Sequence, residues 1–161
     1  MPAAAQVYDS DNMVLLAHRD DYSEYSDVWG FVGTDGHEYI IQHTNTGTAW
    51  WDIDVPTNPV LVKFIPGPAS IWRDAFVIGN YAYIGAKAGL VIVDLSAISL
   101  TDPTPKVLKV IPGLTGLTSI AVQFRYAFVT GANGLDVVDI TEPAKAALIP
   151  QAHLAIADAK D

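Results

Sequence analysis

An all-β fold of repeated four-stranded antiparallel units is what this 161-residue sequence predicts, and three features predict it. A six-residue phrase recurs as Gly47-Thr-Ala-Trp-Trp-Asp52, Gly89-Leu-Val-Ile-Val-Asp94 and Gly134-Leu-Asp-Val-Val-Asp139, its glycines 42 and 45 residues apart. A tyrosine stands eight residues before each glycine, at Tyr39, Tyr81 and Tyr126. Between these marks lie short apolar runs and turn residues, with no helical apolar period longer than a couple of turns. A period in the low forties filled with short strands has the dimensions of a four-stranded propeller blade rather than of a helical solenoid.

The middle copy shows the elements in order. Residues 72–78 and 81–87 flank Gly79-Asn80, a two-residue hairpin signal because both residue types tolerate positive φ. Residues 90–95 form the third strand, and 106–111 the fourth after a loop at 96–105. In the third strand Leu90 and Ile92 point one way and Val91 and Val93 the other, so both faces need covering. Blades stacked on one another supply that cover without helices. The repeats span residues 27–70, 71–116 and 117–157, ahead of a short C-terminal tail and behind a 26-residue leader with one strand at 13–18. Pro66-Gly67 and Pro112-Gly113 end the fourth strand in two repeats, where proline stops a ladder and glycine turns the chain. The third repeat instead carries Pro150 inside its last strand.

Closed propellers use roughly four to eight blades. About three would leave two apolar faces in water, and the expectation is a half-propeller closed by a second copy of the chain, a homodimer. Eighteen acidic against nine basic side chains give a net charge of −9, which disfavours nucleic acid as a partner. There is no cysteine, hence no disulfide, thiolate metal site or cysteine nucleophile. The longest uncharged stretch, residues 110–124, is broken by Pro112, Gly113 and Gly116 and falls short of the ~20 apolar residues of a membrane span. The opening Met-Pro-Ala-Ala-Ala-Gln could be the stump of a small-residue cleavage site, a hint of export.

Ser26-Asp-Val-Trp-Gly30, the run Gly47 to Ile53 with Asn58-Pro-Val60, and Trp72-Arg-Asp74 through Asn80-Tyr-Ala-Tyr83 resemble, in that order, signature stretches of bacterial LVIVD-repeat proteins, and more closely of "choice-of-anchor B" propellers. Asn12-Met-Val-Leu-Leu16 is similar to a strand near the start of such domains. The resemblance covers about residues 12–142 and implies an extracellular, cell-surface or periplasmic β-propeller, with no established catalytic residues to carry over. Propeller domains of that family are longer than this chain.

Asp27 and Asp74 take matching places at the start of the innermost strand, which lines a propeller's channel. Two facing carboxylates suit a divalent cation such as calcium, or an acid/base pair in a hydrolase or lyase with Arg73 as an anion contact. The structural alternative is that each caps a turn or pairs with a neighbour such as Arg73. Ser119 holds the third equivalent position. Trp29, Trp50 and Trp72 are candidate ligand-binding aromatics, whereas Trp51 aligns with Val93 and Val138 as a core residue. Asp52, Asp94 and Asp139 end strand three, where an aspartate accepts backbone N–H bonds, and the repeat tyrosines are expected in blade cores. Asp136 replaces the apolar residue of the other copies and suggests a wet face or a polar partner. Asp9-Ser-Asp-Asn12 could begin a calcium loop but lacks the glycine and distal glutamate of the hand-type loop. His18, His37, His43 and His153 show no metal-ligand spacing and read as surface or turn residues. No nucleophile elbow or nucleotide-type glycine loop occurs. No cofactor is implied. The first expectation is a non-enzymatic binding or structural module that takes a small molecule, glycan or protein; the second is the hydrolase or lyase.

Overall fold

The computed structural model of the chain describes residues 12–96, 98, 102 and 104–156. It holds three four-stranded antiparallel sheets, each with its strands in chain order. Sheet one is β1 (Tyr25–Val32), β2 (Glu38–Thr44), β3 (Gly47–Asp52) and β4 (Val60–Pro66). Sheet two is β5 (Asp74–Ile78), β6 (Tyr81–Ala86), β7 (Gly89–Asp94) and β8 (Lys106–Ile111). Sheet three is β9 (Ser119–Gln123), β10 (Tyr126–Gly131), β11 (Gly134–Asp139) and a short β12 (Ala147–Leu148). The first strands lie side by side, β1 against β5 and β5 against β9, as in successive propeller blades.

Each sheet offers one face forward and one back. Tyr39, Ile41 and Trp50 of blade one pack on Ala75, Ala82, Ile84 and Val93 of blade two. Tyr83, Leu90 and Ile92 of blade two pack on Ile120, Ala127, Val129 and Val138 of blade three. Strand three of blade two therefore buries both of its faces, between blades one and three. Full burial of each large apolar side chain contributes about 1.5–3 kcal/mol. The loop after β7 belongs to the first of these interfaces: Leu95 and Ile98 are buried in it, and Thr34 Oγ1 donates to the Ile98 carbonyl at 2.8 Å.

The repeated glycine has a steric cause. A Cβ on Gly47, Gly89 or Gly134 would sit 2.4, 2.2 or 2.1 Å from the carbonyl oxygen of Ile65, Ile111 or Leu154. The first two oxygens belong to strand four, so Leu154 marks the end of the same strand in blade three. The ladder between strands three and four also breaks at one place in each of the first two blades, between Trp50 and Trp51 and between Ile92 and Val93. In blade three that break widens, because Pro150 cannot donate to the ladder. β12 pairs with Val138 and Asp139, the chain turns through 149–152, and Leu154 rejoins Leu135 as an isolated bridge.

Two expectations need correction. Residues 13–18 are assigned to no strand among the described residues, and Met13, Val14, Leu15 and Leu16 are exposed. The leader instead crosses blade one, with the Arg19 guanidinium 4.9 Å from the Trp51 ring centroid and Tyr22 stacked on Phe64 at 5.2 Å. Tyr126, unlike fully buried Tyr39 and partly buried Tyr81, joins neither core cluster: it is half-buried on the forward face of blade three, under Arg125. The leader motif Asp9-Ser-Asp-Asn12 lies, except for Asn12, outside the described residues.

The two-residue turns of blades two and three differ in one respect. Gly79 has φ +56°, the positive first position of a type II′ hairpin; its counterpart Phe124 adopts φ +54° with a bulky side chain that is 86% exposed. A non-glycine residue there costs about 1–3 kcal/mol. Phe124→Gly is expected to raise unfolding stability by about 1 kcal/mol, after the extra chain entropy of glycine, measured as a higher urea midpoint at unchanged slope.

Candidate functional site

The carboxylates at the head of each first strand join consecutive blades. Asp27 Oδ2 accepts the backbone N–H of Ala75 at 3.2 Å. Asp74 Oδ2 accepts the N–H of Ile120 at 2.7 Å and the Ser119 hydroxyl at 2.8 Å. Ala75 and Ile120 follow Asp74 and Ser119 directly, so the same bond is made twice, one repeat apart. Each aspartate ties the opening of its own strand to that of the next blade. These N–H groups begin strands that are neighbours rather than ladder partners, so a side chain must serve as their acceptor.

Asp27, Arg73, Asp74, Ser119, Ser26, Ile71, Trp72 and Thr118 line an open cleft of about 370 Å³ on this edge. Burial pushes the Asp27 carboxyl above its ordinary 3.8; the Ala75 N–H pulls it down, and the negative charge of Asp74 pushes it up again. Arg73 lines the same cleft, but its guanidinium bonds backbone rather than these carboxylates: the residue is 4% exposed, Nε donates to the Thr44 carbonyl at 3.0 Å, and Nη2 donates to that of Pro68. The guanidinium thus caps the edge of blade one.

The tryptophans separate in the same way. Trp50 is fully buried between blades one and two, and Trp29 packs on that cluster with its ring 4.8 Å from Phe76. Trp51 is buried on the opposite face of β3. Trp72, 50% exposed, is the candidate aromatic that opens to the cleft. Asp52, Asp94 and Asp139 accept the N–H of Asp54, Ser96 and Thr141 at 2.9, 2.8 and 2.8 Å, three identical turns that stop strand three. His37 joins the first of these, its Nδ1 3.0 Å from Asp52, a bond that raises its pKa. Asp136 faces blade two and meets His153 Nδ1 at 2.8 Å, which accounts for a charge within an otherwise apolar strand.

His43 departs from the expectation of a surface histidine. β2 turns it inward with Ile41, it is fully buried, and its Nδ1 lies 3.0 Å from Thr48 Oγ1. Burial, with the nearby Arg73 charge second, lowers its pKa to about 3, so the ring is neutral at physiological pH. The alternation of β2 was the available signal, since His43 follows Tyr39 and Ile41 at period two. Among the described residues no three His, Cys, Asp or Glu gather as a metal-binding group, and no helix is long and apolar enough to cross a membrane.

The LVIVD repeat family matches residues 72–104 and 117–151, both starting just before a first strand and running through strand three. The chain carries two LVIVD repeats. The family's five-letter phrase stands here as Leu90 to Asp94, the doubly buried β7 with its turn aspartate. Blade one lies outside the matched LVIVD residues yet keeps the glycine, the terminal aspartate and the bulge. No curated protein matches the chain.

Asp74→Ala should destabilise the protein by about 1–3 kcal/mol, because the Ile120 N–H is left without its acceptor. Asp74→Asn should cost less than about 1 kcal/mol, since its amide oxygen still accepts that N–H while Ser119 can accept from the amide. Chemical denaturation of the two variants separates a clasp from a merely tolerated charge.

Asp27 makes a pH-dependent contribution of defined sign. With its folded pKa above the ordinary 3.8, the folded protein holds this proton at a pH where the unfolded chain has lost it. Stability therefore falls as pH rises from the ordinary value through the folded one. Asp27→Asn should remove that decline and leave the protein at least as stable at pH 7, checked by urea midpoints between pH 3 and 7.

Proposed function

We propose that this chain is a non-enzymatic binding or structural module whose three blades, two of them LVIVD repeats, close into a ring with a second copy. The observation that supports this most is the pair of terminal faces. The forward face of blade three presents Tyr126, Phe128, Leu135 and Val137, half-buried, at the positions where blades one and two bury Tyr39, Tyr83, Leu90 and Trp50. The rearward face of blade one presents Val28, Ile40, Gln42 and Trp51, beneath the leader. One face is the natural complement of the other, so two copies joined head to tail would cover both. Extracellular, cell-surface or periplasmic placement belongs to this reading through the family resemblance. Its ligand class is a small molecule, glycan or protein.

The use of Asp27 and Asp74 as acceptors between blades supports a structural role for them over acid/base chemistry. The raised Asp27 carboxyl beside Asp74 in an open cleft favours a second reading, a hydrolase or lyase, with or without a divalent cation such as calcium. Loss of a cation-dependent activity in folded Asp27→Asn and Asp74→Asn variants would move the assignment to that class.

Light scattering behind a sizing column is expected to give a mass near 34.6 kDa, twice the 17.3 kDa chain, that persists on dilution. Val137→Glu should convert it to monomer while far-UV circular dichroism is retained. A folded wild-type monomer would refute closure by a second copy.

A further inference from the structure

A second cavity lies inside the chain, between blades one and two, and Arg73 lines it. Its volume is about 250 Å³, and Ile65, Ile84, Ala86, Val91, Val107 and Val110 make most of its wall. Arg73 is the one charged residue in that lining. Among the described residues it has no carboxylate partner, and two backbone carbonyls take Nε and Nη2 while Nη1 donates to nothing. Thr48, also in the wall, bonds His43 Nδ1, and His43 Nε2 is a buried atom without a hydrogen-bond partner. A guanidinium withdrawn from water without a counter-ion carries a desolvation penalty that carbonyl dipoles offset only in part.

We propose that this cavity binds a small organic monoanion, one carboxylate on a short apolar body, with the carboxylate held by Arg73 and the body against the valines and isoleucines. The unused Nη1 is a donor suited to a carboxylate oxygen, and the apolar wall explains why a charge should be placed at one end of the space and nowhere else. At roughly 30 Å³ per water the cavity holds about eight water volumes, which suits an acid of about eight to ten non-hydrogen atoms. Inorganic phosphate would bring more charge than one guanidinium neutralises and no apolar body. Both blades belong to one chain, so the site does not depend on self-association. A monomer that binds and a dimer that does not are distinguishable outcomes for the two proposals.

The test is isothermal titration calorimetry with hexanoate, benzoate and phenylacetate, and with 2-phenylethanol and inorganic phosphate as controls. At least one acid is expected to bind one site per chain, with 2-phenylethanol and phosphate at least about tenfold weaker. Arg73→Met, which keeps the length and loses the charge, should weaken the acid by about tenfold or more. Should that variant fail to fold, Val107→Trp decides: Val107 is 49% exposed and lines the cavity, so the indole would block it without entering the core. Saturation by none of the three acids below about 10 mM overturns the proposal. Equal binding of 2-phenylethanol or phosphate does so too, as does undiminished binding in the folded Arg73→Met or Val107→Trp protein.

Discussion

A strand that is apolar on both faces cannot rest at the surface of a sheet, and this obligation governs the whole arc. β7 meets it with Leu90 and Ile92 against blade three and Val91 and Val93 toward blade one. The burial is strong and non-directional, so it requires that sheets stack but leaves their mutual height and tilt open. Directional contacts supply those. The aspartate at the head of each first strand fixes one blade against the next, and the loop after β7 inserts Ile98 between blades one and two, held by Thr34.

Much of the fold was legible because its determinants are local. Strands read from the middle repeat fall within two residues of those observed, since Gly79, Gly89 and Asp94 mark turns whose chemistry involves only near neighbours. The turn role of Asp52, Asp94 and Asp139 was read from the same kind of signal. The site was less legible. Asp27 and Asp74 were found by their repeated position, but their partners, the N–H groups of Ala75 and Ile120, lie 48 and 46 residues away, and no sequence spacing reveals such a bond. The bonds of Arg73 were hidden for a related reason: it lines the same cleft, but a long side chain can reach acceptors far along the chain, and here the carbonyls of Thr44 and Pro68 take its donors.

The leader strand was read from a local run and a family resemblance, the buried Tyr126 from its place in the repeat, and neither signal carries the packing around the residue. Residues 13–18 join none of the three described sheets, and Tyr126 is half-buried on the forward face of blade three. Pro150 splits the fourth strand of blade three, where the corresponding strands of blades one and two carry only a bulge.

The aspartate clasp also bears on how such a chain can grow. Every repeat that carries it holds one half of a junction at its head, the acceptor, and the donor for the preceding junction one residue later. A duplicated repeat therefore arrives already equipped for both neighbours, and no compensating change is needed elsewhere in the gene. Ser119 is where that inheritance weakens, since a hydroxyl now stands in place of the carboxylate. Lengthening by tandem copying should be tolerated upstream of it far more readily than beyond it.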